Sequence, residues 1–181
     1  MPSTILFNFM GDLGGEWVDP QKPITQWEGS KLVMWNFTDK NGKKLISLKD
    51  NVFRIIESSP QHRFLFLTKN PAGWQRWGQW PENAWVGASV CNDKMFGEAI
   101  ESLSQTQARH QWLSIEPLLE PLKIALPPRS GLEGISWIVI GQQTPVKPET
   151  TPKIEWIQAI VEAADRARVK VWLKDNLERL L

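Results

Sequence analysis

Polar side chains follow six short apolar runs of the sequence, and their types could support chemistry. If the runs are parallel strands, their carboxyl ends share one edge of a sheet, where ligands of α/β folds bind. A lysine beside a carboxylate there could act as an acid, a base or a Schiff-base nucleophile. The candidate catalytic residues are therefore Asp12, Lys69, Glu116 and Lys174. The candidate ligand-binding residues are Thr68, Ser89, Asn92, Gln142 and Gln143.

The four charged candidates also fit a purely structural interpretation. Buried ends of parallel strands often carry ion pairs that only hold the mouth of a barrel together. If such a pair is fully buried, removing Glu116 would leave a lysine without its partner and cost about 3–5 kcal/mol of stability. Both interpretations predict that the four side chains point into one cavity at the carboxyl end of the sheet.

The six runs are predicted strands, since most are too continuously apolar to have one face in water. They cover residues 5–10, 64–69, 85–90, 112–116, 137–141 and 169–174. Amphipathic stretches at 48–59, 93–107 and 153–168 are predicted helices, with Ser47 and Asn92 as N-caps of the first two. This alternation predicts a single α/β domain over residues 1–181, with right-handed crossovers and a sheet covered on both faces.

The predicted fold class is a partial (β/α)6 TIM-like barrel of about six parallel strands. A complete eightfold barrel typically needs about 250 residues, and this chain has 181. One region departs from the alternation, because segments 31–37 and 43–47 flank the pair Asn41-Gly42, which favours a tight turn. A β-hairpin insertion is therefore expected near residues 31–47.

Tryptophan is unusually frequent, with 11 residues against no tyrosine. We expect most of these side chains to fill the core or its edges. The stretch GWQRWGQW at 73–80 mixes three tryptophans with one arginine, as a base-stacking platform might. A single arginine is little support for that role, so core packing is favoured here too.

Charge and cysteine content narrow the class of protein. The net charge of +1 gives no overall attraction to nucleic acid or to an anionic membrane, and leaves a local basic patch open. Cys91 is the single cysteine, so the chain can form neither an internal disulfide nor a multi-cysteine metal site. We therefore expect a reduced, cytoplasmic protein with no metal site and no bound cofactor of its own. No apolar run approaches 18 residues, so no membrane span is expected.

Several blocks, in order along nearly the whole chain, resemble a phage-protein family of unknown function named for phage gene products thirty-seven and sixty-eight, also called the three-Cys-motif family. "PQHRFLFLTKNP" resembles its Q-x-L-T-K-R-P segment, and "WPENAWVGASVCN" resembles W-P-x-N-x-W-x-G-x-S-V-E. "WLSIEPLLEPL" resembles F-x-S-x-E-P-L-L-G-P, and "SWIVIGQQT" resembles W-V-I-V-G-G-E-S. "NFMGDLGGEWV" and "VKVWLKD" resemble its first and last blocks.

The resemblance implies a radical-SAM-like partial barrel, in which an N-terminal cysteine cluster would hold an iron–sulfur centre used with S-adenosylmethionine. Six positions match the family pattern: Asp12, Thr68, Lys69, Ser89, Glu116 and Lys174. The cysteine cluster is missing, Gln142 and Gln143 stand where the family has Gly-Glu, and Asn92 replaces a common Glu.

Three hypotheses follow, and the sequence leaves open whether the protein is an enzyme. The first is a barrel that binds a small polar ligand, as a degenerate relative of radical-SAM enzymes. The second is a non-catalytic interaction module, and the third is the C-terminal piece of a split iron–sulfur enzyme. Because the first predicted strand begins near Met1, its free edge could pair with a second copy or with a partner chain.

Overall fold

A computed structural model describes residues 1–6, 12–28, 31–34, 37–38, 42, 44–45, 47–124 and 131–180. The strands are β1 (Thr4–Leu6), β2 (Thr25–Glu28), β3 (Lys31–Met34), β4 (Phe37–Thr38), β5 (Lys44–Leu45), β6 (Arg63–Thr68), β7 (Ala84–Val90), β8 (His110–Ile115), β9 (Ile135–Ile140) and β10 (Lys170–Leu173). The α-helices are α1 (Leu48–Glu57), α2 (Asp93–Ser104) and α3 (Ile154–Ala167), and short 3-10 helices span Pro71–Trp77, Pro148–Thr150 and Asp175–Leu180.

Six strands form one parallel sheet in the order β1, β6, β7, β8, β9, β10, which curls into a half-barrel. Neighbours in the sheet are also successive strands of the barrel in the sequence, so each crossover moves one step in the same direction. The predicted partial barrel is therefore confirmed. Residues 7–10 of the first predicted strand lie outside the described residues.

The core lies between the convex face of the sheet and the helices. Alternate strand positions point there, and these side chains share one apolar cluster with the buried faces of α1, α2 and α3. Ile56 of α1 and Ile157 of α3 are almost completely buried in it, as the predicted amphipathic helices require. The opposite, concave face lines a cavity, in which Leu65, Trp112 and Ser114 are buried and Trp172 is exposed.

Both predicted N-caps are present. The Ser47 side chain accepts from the backbone N–H of Asp50, whose carboxylate accepts in return from the N–H of Ser47, which makes a capping box. The Asn92 side chain accepts from the backbone N–H of Met95 at the start of α2. These caps fix where each helix begins after its loop.

The insertion is antiparallel as expected, but its pairing differs from the predicted hairpin. β3 pairs with β2, and only the short strands β4 and β5 pair across the turn that contains Gly42. Gly42 has φ of +81°, which fits the predicted turn. Residues 31–34 therefore pair with β2, an earlier strand that the sequence pattern did not indicate.

The crossover from β6 to β7 consists of the 3-10 helix Pro71–Trp77 and places three tryptophans in the core. Trp74, Trp77 and Trp80 are 0%, 0% and 4% exposed, and Trp77 stacks on Trp80 with ring centroids 5.3 Å apart. Core packing of the GWQRWGQW stretch is thus confirmed. In the part of the chain that the structure describes, no helix is both long and apolar enough to span a bilayer.

Candidate functional site

A cavity of about 1120 Å³ opens on the concave face, at the carboxyl ends of the parallel strands. Six of the nine candidate residues line it: Asp12, Thr68, Lys69, Ser89, Glu116 and Lys174. The structure therefore brings all four charged candidates into one cavity. Their catalytic and ligand-binding roles remain predictions.

Asp12 is held by three hydrogen bonds from the loop and from the end of β6. One carboxylate oxygen accepts from the Thr68 hydroxyl and, at 2.9 Å, from the backbone N–H of Gly14. The other accepts from the backbone N–H of Lys69 at 3.1 Å. The carboxylate is thus oriented at the cavity rim by its own loop, and Thr68 acts as its donor.

The loop that carries Asp12 is clamped onto the crossover after β6. The Arg76 guanidinium donates to the carbonyl oxygens of Gly15 at 2.7 Å and of Gly14 at 3.2 Å. A Cβ on Gly14 would lie 2.8 Å from the Thr68 Cβ, so glycine is required for this close approach. Because one guanidinium can donate to several carbonyl oxygens at once, Arg76 fixes the loop without regular secondary structure.

Glu116 and Lys174 form an ion pair across the end of β9. The Lys174 ammonium donates to the Glu116 carboxylate at 2.6 Å, with side chains 43% and 27% exposed, respectively. Gly141 lies between them, and a Cβ there would be 3.0 Å from the Glu116 carboxylate oxygen. Because the pair is partly exposed, it contributes about 0–1 kcal/mol to folding rather than the value for a buried pair.

Lys69 and Cys91 lie on neighbouring strand ends. Burial raises the pKa of the Cys91 thiol, and the nearby positive charge of Lys69 partly opposes that shift. The thiol lies 3.8 Å from the carbonyl oxygen of Glu116. Within the described residues, the Lys69 ammonium forms no ion pair, so it faces the cavity as an exposed cation.

The remaining three candidates lie outside the cavity. Asn92 caps α2, as described above. Gln142 is buried, and its amide donates to the backbone carbonyl of Asn176, whose own amide donates to the Gln142 carbonyl at 2.8 Å. Gln143 is partly buried beside it and is absent from the cavity lining.

The cavity wall is aromatic, a feature that the sequence analysis missed. Trp112 and Trp137 stack with centroids 5.3 Å apart, and Trp172 lies 6.3 Å from Trp137 and is 58% exposed. Opposite Trp112 on β7 is Gly87, where a Cβ would come within 2.5 Å of the Trp112 indole nitrogen. A signal was present in the sequence for two of them, because Trp112 has the same strand parity as Ser114 and Glu116, and Trp172 has the same parity as Lys174.

Two serines complete the wall between the charged rim and the tryptophans. Ser89 of β7 and Ser114 of β8 are directly opposite in the sheet register, and both line the cavity. Their hydroxyls can donate and accept hydrogen bonds. The cavity therefore combines flat apolar rings, two hydroxyls, and charges of both signs.

Fold and site together define an α/β half-barrel with an open, tryptophan-walled cavity at its strand ends. The chain belongs to the family described as protein of unknown function DUF5131, whose model matches residues 16–178. Searches of curated proteins and of solved structures found no match.

Proposed function

We propose that the concave cavity binds a small polar ligand that carries a planar ring. The observation that carries the proposal is the exposed Trp172 indole, next to the partly exposed Trp137, beside charged groups in one cavity at the strand ends. Trp172 is the most accessible of these rings. Ring stacking on tryptophan is worth about 1–3 kcal/mol per base-like ring.

The polar rim supplies the contacts that would orient such a ligand. Lys69 offers a cation, and Ser89 and Ser114 offer hydroxyls. Lys174 can exchange its partly exposed contact with Glu116 for a contact with an acidic ligand group. Mostly apolar walls with a few convergent polar groups are typical of small-molecule sites.

The cofactor implied by the family resemblance does not fit this chain alone. An iron–sulfur cluster generally needs several thiolates, and Cys91 is the only cysteine. Its raised pKa also disfavours the thiolate. Among the residues with described positions, no group of three or more His, Cys, Asp or Glu side chains could hold a metal ion.

We therefore propose that the isolated chain holds no cluster. Anaerobic reconstitution with iron and sulfide, followed by iron analysis, is expected to leave less than stoichiometric iron on the protein. One cluster per chain would contradict this. We also propose, from the family resemblance, a relation to phage proteins and a partner chain that supplies the cysteines. The reading frames next to the gene test both, because they would show whether phage proteins and a cysteine-bearing chain are encoded there.

The ligand proposal is tested with adenosine 5′-monophosphate and S-adenosylmethionine as probes, titrated by calorimetry. We expect at least one probe to bind, and Trp172→Ala to weaken that probe by roughly 5- to 150-fold, the equivalent of one lost stacking contact. Trp17→Ala is the matched control, because Trp17 is 81% exposed and outside the cavity lining. Absence of binding by both probes, or equal losses in the two variants, would count against the proposal.

A further inference from the structure

The concave face extends beyond the cavity toward the amino ends of the strands, and it carries cations at both ends. Arg63 begins β6 and Lys69 follows it, while Lys170 begins β10 and Lys174 follows it. All four occupy concave-face positions, since Leu65, Leu67 and Lys69 line the cavity at alternate positions and Lys170 pairs with Trp137. Arg63, Lys69 and Lys170 are exposed.

Aromatic rings fill the space between these cations. Trp85 lies 6.4 Å from Trp137, which links it to the cavity wall of Trp112 and Trp172. At the amino end, His110 stacks on Trp85 with centroids 4.6 Å apart, and the Arg63 guanidinium lies 5.9 Å from the centre of the Trp85 ring. The rings thus form one continuous surface from Arg63 to Trp172.

The acidic groups on this surface gather at the carboxyl end. Asp12 accepts three hydrogen bonds, and Glu116 is paired with Lys174, so each carboxylate has partners of its own. Asp175 is exposed at the rim of the cavity. At the amino end, Glu82 pairs with Arg109, which leaves the exposed cations Arg63 and Lys170 to face an anionic ligand.

We propose that the concave face binds a single-stranded nucleic acid, with phosphates against Arg63, Lys170 and Lys69. The bases would lie against the exposed Trp172 and the partly exposed Trp137 and Trp85. This inference rests on the proposed function and extends it, because it names a longer ligand for the same surface. Lys69 is six positions after Arg63 in extended chain, a span of roughly 20 Å. A mononucleotide does not need that span, whereas an extended strand does.

Single strands fit this surface better than duplexes. Aromatic platforms bordered by cations bind single-stranded nucleic acid because unstacked bases expose both ring faces. In a duplex those faces are covered by neighbouring base pairs, so the tryptophans would have nothing to stack on. The net charge of +1 is compatible with this, since the cations are local to one face.

The test measures fluorescence anisotropy with a labelled oligothymidylate of about ten nucleotides. We expect it to bind at least about tenfold more tightly than thymidine 5′-monophosphate, and more tightly than a duplex of equal length. Arg63→Ala and Lys170→Ala should each reduce the slope of log affinity against log salt by about 0.7, the value for one lost phosphate contact. Lys94→Ala is the matched control, since Lys94 is exposed on α2 and its side chain is 84% exposed.

The outcomes separate this inference from the proposed function. If mononucleotide binds but the oligonucleotide is no tighter, or if Arg63→Ala and Lys170→Ala behave as Lys94→Ala does, the extended site is wrong and the small-ligand proposal stands. Equal affinity for duplex and single strand would also overturn the inference. Circular dichroism of each variant shows whether it is folded, and for a misfolded variant Arg63→Gln and Lys170→Gln, which also remove the charge, replace the alanine changes.

Discussion

Replacing Gly73 by alanine is expected to destabilise the protein by about 3 kcal/mol or more. A Cβ on Gly73 would lie 1.9 Å from the carbonyl oxygen of Gly14 and 2.6 Å from its carbonyl carbon. Both atoms belong to the backbone, so no side chain can rotate away to make room. Overpacking in a tight site costs about 1–3 kcal/mol and occasionally more, and this contact is closer than a relaxed Cβ allows.

Gly97→Ala is the matched control and should act in the opposite direction. Gly97 lies inside α2, and a Cβ there would meet nothing within 4 Å. Alanine is favoured over glycine in a helix interior, so we expect stabilisation by about 0.5–1 kcal/mol. Urea unfolding measures both values. Similar changes in the two variants would show that Gly14 and Gly73 are not in close contact.

The consequence of Gly73→Ala reaches the cavity. Gly14 is two residues after Asp12, and its N–H donates to the Asp12 carboxylate. A shift of the Gly14 backbone would therefore reorient that carboxylate as well as loosen the Arg76 clamp. We expect ligand affinity to fall along with stability in this variant, while Gly97→Ala leaves affinity unchanged.

The half-barrel could be predicted because its strands and helices differ in length and in the spacing of their apolar residues. Continuous apolar runs of five or six residues alternated with amphipathic stretches, and Ser47 and Asn92 marked two helix starts. The insertion was harder, because β2 has no strong apolar pattern around Trp27 and so did not indicate a partner for β3. Register in such short antiparallel pairs is weakly specified by sequence.

The cavity residues could be predicted from topology, since parallel strands bring their carboxyl ends to one edge. That rule located Asp12, Lys69, Glu116 and Lys174 in one cavity. The rule cannot separate a residue that points inward from one that caps a helix, and Asn92, which was predicted for both roles, caps α2 outside the cavity lining. The tryptophan wall was missed although Trp112 and Trp172 share the strand parity of Glu116 and Lys174, because a strand that is apolar on both faces does not itself indicate which face lines a cavity.

Trp74→Ala is expected to cost about 3–5 kcal/mol, the range for truncating a buried aromatic side chain. Trp74 is 0% exposed and packs edge-on against Trp80, with centroids 5.4 Å apart. Its indole N–H also donates to the carbonyl oxygen of Gly87 at 2.9 Å, on the strand whose other face supports Trp112. Truncation would therefore leave a cavity under the floor of the ligand site.

Trp74→Phe separates the two contributions of this side chain. Phenylalanine keeps most of the ring volume and removes the N–H, so the carbonyl oxygen of Gly87 would lose its hydrogen-bond donor. We expect this to lower stability by a smaller amount, about 1–3 kcal/mol. Trp17→Ala is the control, because at 81% exposed it should change stability by no more than about 0.5 kcal/mol. Chemical denaturation measures the loss of stability in each of the three variants, and we expect the largest loss for Trp74→Ala, a smaller one for Trp74→Phe and the smallest for Trp17→Ala. If Trp74→Ala and Trp17→Ala cost the same, Trp74 is not part of the core, and the convex face does not support the cavity in the way described.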